Sequence, residues 1–265
     1  MGDGGRVAGT PLRNSLWNLL YRVVSSSDHS RTAWEAVLRG AALSFFKETV
    51  DDLPLADNEA SRRALKELFF SLPDHRVYDL YEFLLADDRA GMKELDRKLI
   101  RRGLNRVLEE EGAPVRLLRS RFVPLPDELG LDAVSSAGEK LSLFDLAAAS
   151  RHLQSAVAFL SRRPDPVTEE AVREAILSVA AVVRTLDAGS GGIAVGTIAP
   201  VADRLGIPEG LRRGIEATLA HGHAGSGLPG SEGGTGPTDL AEATFLVVFC
   251  SSLIAFLLSR AERAD

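Results

Sequence analysis

Apolar residues recur at helical spacing along most of the chain. Leu12, Leu16 and Leu20 form such a stripe after Thr10-Pro11, which pairs a helix-capping residue with proline at the first helical position. Leu19 and Val23 widen the stripe. The same periodicity predicts further helices over 32–47, 58–71, 74–84, 92–111, 141–162, 168–186, 198–205, 209–220 and 239–262.

One segment departs from the helical period. Val115-Arg-Leu-Leu and Arg121-Phe-Val-Pro-Leu flank Arg119-Ser120, and this arrangement predicts a small β-hairpin near 115–125. Residues 127–140 fit a linker or a weak helix. The chain is therefore predicted to be mostly α, with an N-terminal helical domain over 1–138 that carries the hairpin. A helical bundle over 139–265 follows.

Composition excludes several classes of protein. Hydrophobic residues make up 45% and charged residues 26%, as in an average globular protein, so a collagen-like or intrinsically disordered chain is excluded. The 31 Lys and Arg residues stand against 37 Asp and Glu residues, giving a net charge of −6. That balance argues against a protein that coats nucleic acid by bulk charge.

Cysteine usage and hydropathy indicate a cytoplasmic protein. Cys250 is the single cysteine, so an intrachain disulfide is impossible and a reducing compartment is expected. Residues 1–10 lack the apolar core of a signal peptide. The run Phe245 to Leu258 is shorter than the roughly 20 residues that a membrane span needs. We expect a buried core helix there and no membrane association.

Familiar catalytic and phosphate-binding motifs are missing from the sequence. The glycine-rich stretches 189–192 and 225–230 lack the Gly-Lys-Ser/Thr ending of a phosphate loop and follow no predicted strand, so we expect flexible connectors. There is no Gly-x-Ser-x-Gly turn for a serine nucleophile. Cys250 lies in an apolar helix, where burial raises a thiol pKa, and is expected to be a core residue. No cofactor is expected.

Two closely spaced histidines are the best metal-ligand candidates. His221 and His223 could act with Glu232 or Asp239. Because both histidines lie beside a glycine-rich stretch, we favour solvent-exposed residues and expect no metal.

A basic cluster lies between residues 97 and 121. Eight Lys and Arg residues there stand against three glutamates, so this segment is positive within an acidic chain. Contact with nucleic-acid phosphates is one interpretation. The other, which we favour, is a solvated face paired with acidic groups of the same or a partner chain. The candidate nucleic-acid-binding residues are Arg97, Lys98, Arg101, Arg102, Arg106, Arg119 and Arg121.

Several segments together resemble one family. The chain is similar to AbiJ-type abortive-infection proteins (AbiJ N-terminal-domain family four) over nearly its whole length, most strongly in the first half. The resemblance implies a role in bacterial defence against phage, with RNA or another protein of the defence locus as the partner. The matching segments are 12–21, 78–83, 104–112, 115–125, 151–157, 173–179 and 245–258.

The second half resembles HEPN domains, which are four-helix bundles that dimerise. The resemblance implies the same fold and a dimer for this part of the chain. Many HEPN proteins are metal-independent ribonucleases marked by an arginine, four to six intervening residues and a histidine. This chain departs from that pattern. Glu169 and Glu170 stand where the family usually has Arg-Asn, and Ala180 replaces a usual glutamate. Residues 227–230 stand where the family has Gly-Ile-Arg-His, so the Arg-His pair is absent.

Other arginine–histidine pairs are weak catalytic candidates. Arg22 and His29 have six residues between them but lie in the wrong half, and Arg213 and His221 have seven between them. His223 is a further candidate next to that pair. Residues seven or eight apart share a helix face by geometry alone, so such pairs arise by chance.

The expected function is therefore a non-catalytic sensor, scaffold or partner-binding module of phage defence. The first alternative is a metal-independent HEPN-type ribonuclease with a relocated active site. The second is a structural homodimer that does not bind nucleic acid. In each case the apolar last helix leads us to expect a homodimer through the C-terminal bundle.

Overall fold

The computed structural model describes residues 10–26, 32–125, 127–187, 197–225 and 238–264. Its contacts divide the chain into unit 1, Met1–Asp127, and unit 2, Glu128–Asp265. This division comes before the expected boundary at 138, because the segment that follows Asp127 packs on the last helix of unit 2. The described part is mostly helical with one small antiparallel hairpin, which confirms the predicted fold class.

The described part of unit 1 contains five α-helices and the hairpin, with short helical turns between them. The predicted helix over 32–47 is shorter than expected, since α2 gives way to a π-helical turn over Ala42–Phe46 that ends at Lys47 with φ of 62°. Asp57 caps α3 by accepting a hydrogen bond from the Glu59 amide at 3.0 Å. The elements are α1 Thr10–Ser25, α2 Ala33–Ala41, α3 Asn58–Ser71, α4 Asp74–Ala86, α5 Glu94–Glu110, β1 Arg116–Leu118 and β2 Arg121–Val123.

Aromatic side chains fill much of the core of unit 1. The Trp17 ring stacks on Trp34 at 5.7 Å and lies 5.4 Å from Phe69. Phe122 brings the hairpin into the same core, 4.8 Å from the Tyr78 ring. The apolar stripe of α1 is buried against this cluster, as the periodicity predicts.

Unit 2 is a helical bundle. Its first helix occupies most of the segment predicted as a linker or weak helix, and it is 16 residues long. The predicted helix over 141–162 begins later than expected, at Ala147, because the chain turns between α6 and α7, where Asp145 has φ of 52°. The elements are α6 Glu128–Leu143, α7 Ala147–Leu160, α8 Thr168–Leu186, α9 Ala199–Ala202, α10 Glu209–Gly225 and α11 Leu240–Ala264.

Helix α8 lies at the centre of unit 2, where α7, α10 and α11 pack on it. Gly222 of α10 allows one close approach, since a Cβ there would lie 3.2 Å from side-chain methyls of Ile176 and Leu246. Helix α6 packs on α11, and Lys140 forms an ion pair with Glu262 at 2.9 Å.

Helix α11 is longer than the apolar run in the sequence. It has 25 residues and is long and apolar enough to cross a membrane. However, 44% of its most apolar window is already buried inside the structure. Cys250, Ile254 and Leu257 are among the buried residues, and the helix packs on α8 and α6. One side of α11 is therefore packed within unit 2, and the helix also keeps an outer face.

Candidate functional sites

The structure divides the basic cluster into two groups. Arg97 is buried and binds the Asp88 carboxylate at 3.0 Å and the Asp87 carbonyl at 2.8 Å. Arg101 binds the Glu94 carboxylate at 3.1 Å and the Leu85 carbonyl. These two arginines therefore connect α5 to the C-terminal end of α4 and the turn that follows it.

Two more arginines of the cluster also have partners within unit 1. The buried Arg116 donates to the carbonyls of Ala113 and Val115, each at 2.8 Å. Arg106 forms an exposed ion pair with Glu110 at 2.7 Å, one turn along α5. Such a pair contributes little to stability, but it lowers the charge that Arg106 offers to a ligand.

The second group comprises Lys98, Arg102, Arg119 and Arg121. All four are exposed, and none makes a hydrogen bond or ion pair with the residues that the structure describes. Arg119 occupies the hairpin turn with φ of 58°. We call these residues the cation quartet.

Asn105 fixes the hairpin beside the exposed row of α5. Its amide group donates to the Leu117 carbonyl at 3.0 Å and accepts from the Leu117 amide at 2.6 Å. Asn105 follows Lys98 by seven residues and Arg102 by three, so it lies on the same helix face. The outer edge of β1 is therefore held against the α5 face that carries those two cations.

The other edge of the hairpin is also held. The Glu82 carboxylate of α4 accepts a hydrogen bond from the Phe122 amide at 2.6 Å. In the register of the pair, Leu117 lies opposite Phe122 and Leu118 opposite Arg121. Side chains of α5 and α4 thus form hydrogen bonds with the outer edges of β1 and β2. These bonds fix the position of the hairpin turn and its arginines relative to α5.

The weak catalytic candidates of α10 pair with separate carboxylates in the described residues. Arg213 forms an ion pair with Glu209, one turn away on α10. His221 Nε2 lies 2.6 Å from Glu242 Oε1 of α11, in an exposed position. The carboxylate partners of Arg213 and His221 are therefore different residues on different helices.

Several of the other candidates lie outside the described residues. Arg22 is exposed on α1, whereas His29, Glu232, the side chain of His223 and most of both glycine-rich stretches lie outside the described residues. Asp239 accepts a hydrogen bond from the Glu242 amide at 2.8 Å, at the start of α11. Among the residues that the structure describes, no three His, Cys, Asp or Glu side chains are grouped to hold a metal ion.

A histidine–carboxylate pair joins α7 and α8. His152 Nδ1 lies 2.7 Å from Glu174 Oε2, and both side chains are partly buried. No hydrogen bond to Nε2 of His152 is formed within the described residues. A carboxylate that orients an imidazole in this way is a common element of acid–base sites. The sequence could not reveal this pair, because its residues are 22 positions apart and meet only through helix packing.

Helix α11 also presents an outer apolar face. Phe245 is 59% exposed, and its ring stacks on Phe249 at 6.2 Å. Phe256 lies two turns beyond Phe249 on the same face, and the Arg260 guanidinium lies 5.4 Å from its ring. Ser252 is exposed at the middle of this face. We call residues 245, 249, 252 and 256 the α11 outer face.

The buried thiol is unsuited to nucleophilic chemistry. Cys250 lies on the inner side of α11, and burial raises the pKa of its thiol to about 12. The thiol is therefore protonated at neutral pH, as expected for a core residue.

Comparison with known proteins gives no relative. No family model matches the chain, and neither the curated proteins nor the solved structures contain a significant match.

Proposed function

We propose that this protein is a cytoplasmic, non-catalytic binding module of bacterial phage defence that works as a homodimer through α11. The observation that carries the dimer is the α11 outer face, where three phenylalanines lie partly or largely exposed on one side of a helix. Exposed aromatic surface of this kind is costly in water and is typical of protein contacts.

A second copy of the chain fits this face by the order of its aromatic and charged residues. Glu242 precedes the face, and Arg260 and Arg263 follow it. An antiparallel pairing with its two-fold axis next to Ser252 places Phe249 against Phe256 of the second copy. The same axis places Phe245 against Arg260 and Glu242 against Arg263. A two-fold interface must be self-complementary in this sense, and the small Ser252 at its centre permits close helix approach.

The non-catalytic part of the proposal is supported by the separate surroundings of Arg213 and His221 and by the protonated thiol of Cys250. The defence role is supported by the resemblance of the seven sequence segments to AbiJ-type proteins.

Light scattering of the full chain tests the dimer. We expect a dimer at micromolar concentration and a monomer for Phe249→Glu/Phe256→Glu, because each copy would then bury carboxylates opposite one another. Leu129→Glu/Leu143→Glu is the matched control, since both leucines are exposed on α6 of the same unit. It should remain dimeric. A monomeric wild-type chain, or a control that dissociates equally, would contradict the proposal.

The His152–Glu174 pair favours a second candidate function, the metal-independent ribonuclease. Purified protein incubated with bacterial RNA in EDTA separates the two functions. The non-catalytic proposal predicts no cleavage. Cleavage that persists in EDTA, is lost in His152→Ala and is retained in His221→Ala would instead support the ribonuclease, with His152 as the base.

A further inference from the structure

We propose that the cation quartet, Lys98, Arg102, Arg119 and Arg121, is a binding surface for the phosphate backbone of a nucleic-acid duplex. The proposal concerns unit 1 alone, and it is independent of the α11 dimer. Its basis is the division of the basic cluster into residues that have an oxygen partner within unit 1 and residues that have none among the described residues.

The first argument is the contrast between paired and unpaired cations. Arg97, Arg101, Arg106 and Arg116 each have an oxygen partner within unit 1. The cation quartet has none in the described part of the chain, although unit 1 contains as many acidic as basic residues, 20 of each. Carboxylates are therefore abundant in unit 1 but do not neutralise this surface.

The second argument is the placement of the quartet. Lys98 and Arg102 lie one turn apart on α5, and Asn105 fixes β1 next to that face. Arg119 and Arg121 lie at and just after the turn of the same hairpin. Two pairs of cations thus lie on elements that are joined through Asn105, one pair on α5 and the other at the turn of the hairpin.

The third argument concerns the type of ligand. Three members of the quartet are arginines, whose planar guanidinium groups match the geometry of phosphate oxygens. The exposed large apolar residues of α5 are Leu95 and Leu99, and no exposed aromatic residue is described on α5 or the hairpin. Single strands are typically bound by stacking on aromatic rings, so backbone contacts to a duplex are favoured.

The positive charge is confined to this surface, because unit 1 as a whole is neutral. Binding is therefore expected to depend steeply on salt, with each phosphate contact adding about 0.9 to the slope of log K against log salt for duplex DNA. An acidic protein segment is the competing ligand, and it would use Leu95 and Leu99 as well as the cations.

Fluorescence anisotropy of the full chain tests the proposal with three labelled probes: an RNA duplex, a DNA duplex of the same sequence, and one single strand of the RNA. We compare Lys98→Gln/Arg102→Gln and Arg119→Gln/Arg121→Gln with the wild type. Lys47→Gln/Arg184→Gln is the matched control, because it removes one exposed lysine and one exposed arginine that lie outside the quartet. Leu95→Ala/Leu99→Ala tests the apolar residues of α5.

We expect a duplex to bind, and each quartet double variant to weaken it about tenfold and lower the salt slope by about two. The control and the leucine variant should bind like the wild type. Comparing the RNA and DNA duplexes identifies the source of the phosphates. No binding at low salt, tighter binding of the single strand, or a loss in only one quartet double variant would overturn the proposal. So would an equal loss in the control or a loss in the leucine variant.

Discussion

The two units use aromatic residues in opposite ways. In unit 1 the side chains of Trp17, Trp34, Phe69, Tyr81 and Phe122 are buried. In unit 2 none of the five phenylalanines is fully buried, and the core there consists of alanine, valine, leucine and isoleucine from packed helices. Unit 1 thus uses its largest apolar side chains to stabilise itself, while unit 2 keeps its rings near solvent.

The two units also differ in how their charged residues are distributed. Unit 1 is neutral, yet it carries four exposed cations that have no partner among the described residues. Unit 2 has 17 acidic against 11 basic residues and therefore accounts for the whole net charge of −6. Each unit therefore leaves one surface without a partner among the described residues. In unit 1 it is the cation quartet, and in unit 2 it is the α11 outer face. We place a binding partner at each of them.

The largest predicted effect tests whether aromatic burial stabilises unit 1. Phe69→Ala removes a fully buried ring that contacts Trp17, so we expect unit 1 to lose about 3–5 kcal/mol of unfolding free energy. Both tryptophans lie in unit 1, so tryptophan fluorescence during urea unfolding follows this unit selectively.

Phe245→Ala is the comparison for that experiment. Its ring is 59% exposed and lies in unit 2, so the fluorescence transition should stay at the wild-type urea concentration. If Phe69→Ala shifted the transition no more than Phe245→Ala, the contrast between the two units would be wrong.

A smaller effect is expected where the hairpin joins α5. Asn105→Ala removes both hydrogen bonds to Leu117 and leaves a backbone amide and carbonyl without their partner. We expect a loss of about 1–3 kcal/mol, together with faster hydrogen exchange at the Leu117 amide.

Gln154→Ala serves as the matched amide deletion. Gln154 is exposed and bonds only one turn away, to Ser150 at 3.2 Å, so its removal should change stability by less than about 0.5 kcal/mol. Unchanged exchange at Leu117 in Asn105→Ala would show that Asn105 does not hold the hairpin.

Much of the fold can be predicted from the sequence, and the failures have a local cause. The helices over 58–71 and 168–186 have the predicted bounds, because periodicity and flanking residues agree there. The predicted helix over 141–162 fails at Asp145, whose left-handed conformation is not encoded by glycine or proline. Most of the segment 127–140, predicted as a linker or a weak helix, belongs to α6, because tertiary packing on α11 reinforces a weak intrinsic preference.

The candidate sites were less predictable than the fold. The sequence identifies the basic cluster, but it cannot distinguish Arg101, which binds the Leu85 carbonyl, from Arg102, which is free of described partners. These neighbours differ only by a rotation of about 100° around α5. The pairing of His152 with Glu174 depends in the same way on how two helices pack.

The smallest predicted effect concerns the hydrogen bonds that join α10 to the start of α9 in unit 2. They are polar contacts, unlike the aromatic contacts that stabilise unit 1. Glu216 Oε1 of α10 accepts hydrogen bonds from the Thr197 hydroxyl at 2.6 Å and from the Ile198 and Ala199 amides at 3.2 and 3.1 Å. Burial opposes ionisation of Glu216, but these hydrogen bonds and Arg212 outweigh it and lower its pKa. The ionised carboxylate therefore stabilises the start of α9.

Because the folded-state pKa of Glu216 is lowered, its stabilisation is present above the ordinary carboxyl value of 4.5 and is lost as the pH falls through the folded-state value. We expect Glu216→Ala to cost unit 2 about 1–2 kcal/mol at pH 7, measured by far-ultraviolet circular dichroism during urea unfolding. The difference from wild type should shrink below about pH 4.5. Glu209→Ala, on the exposed side of α10, should cost less than about 0.5 kcal/mol. A cost for Glu216→Ala that does not change with pH would show that its charge is irrelevant, and that its bulk alone supports α9.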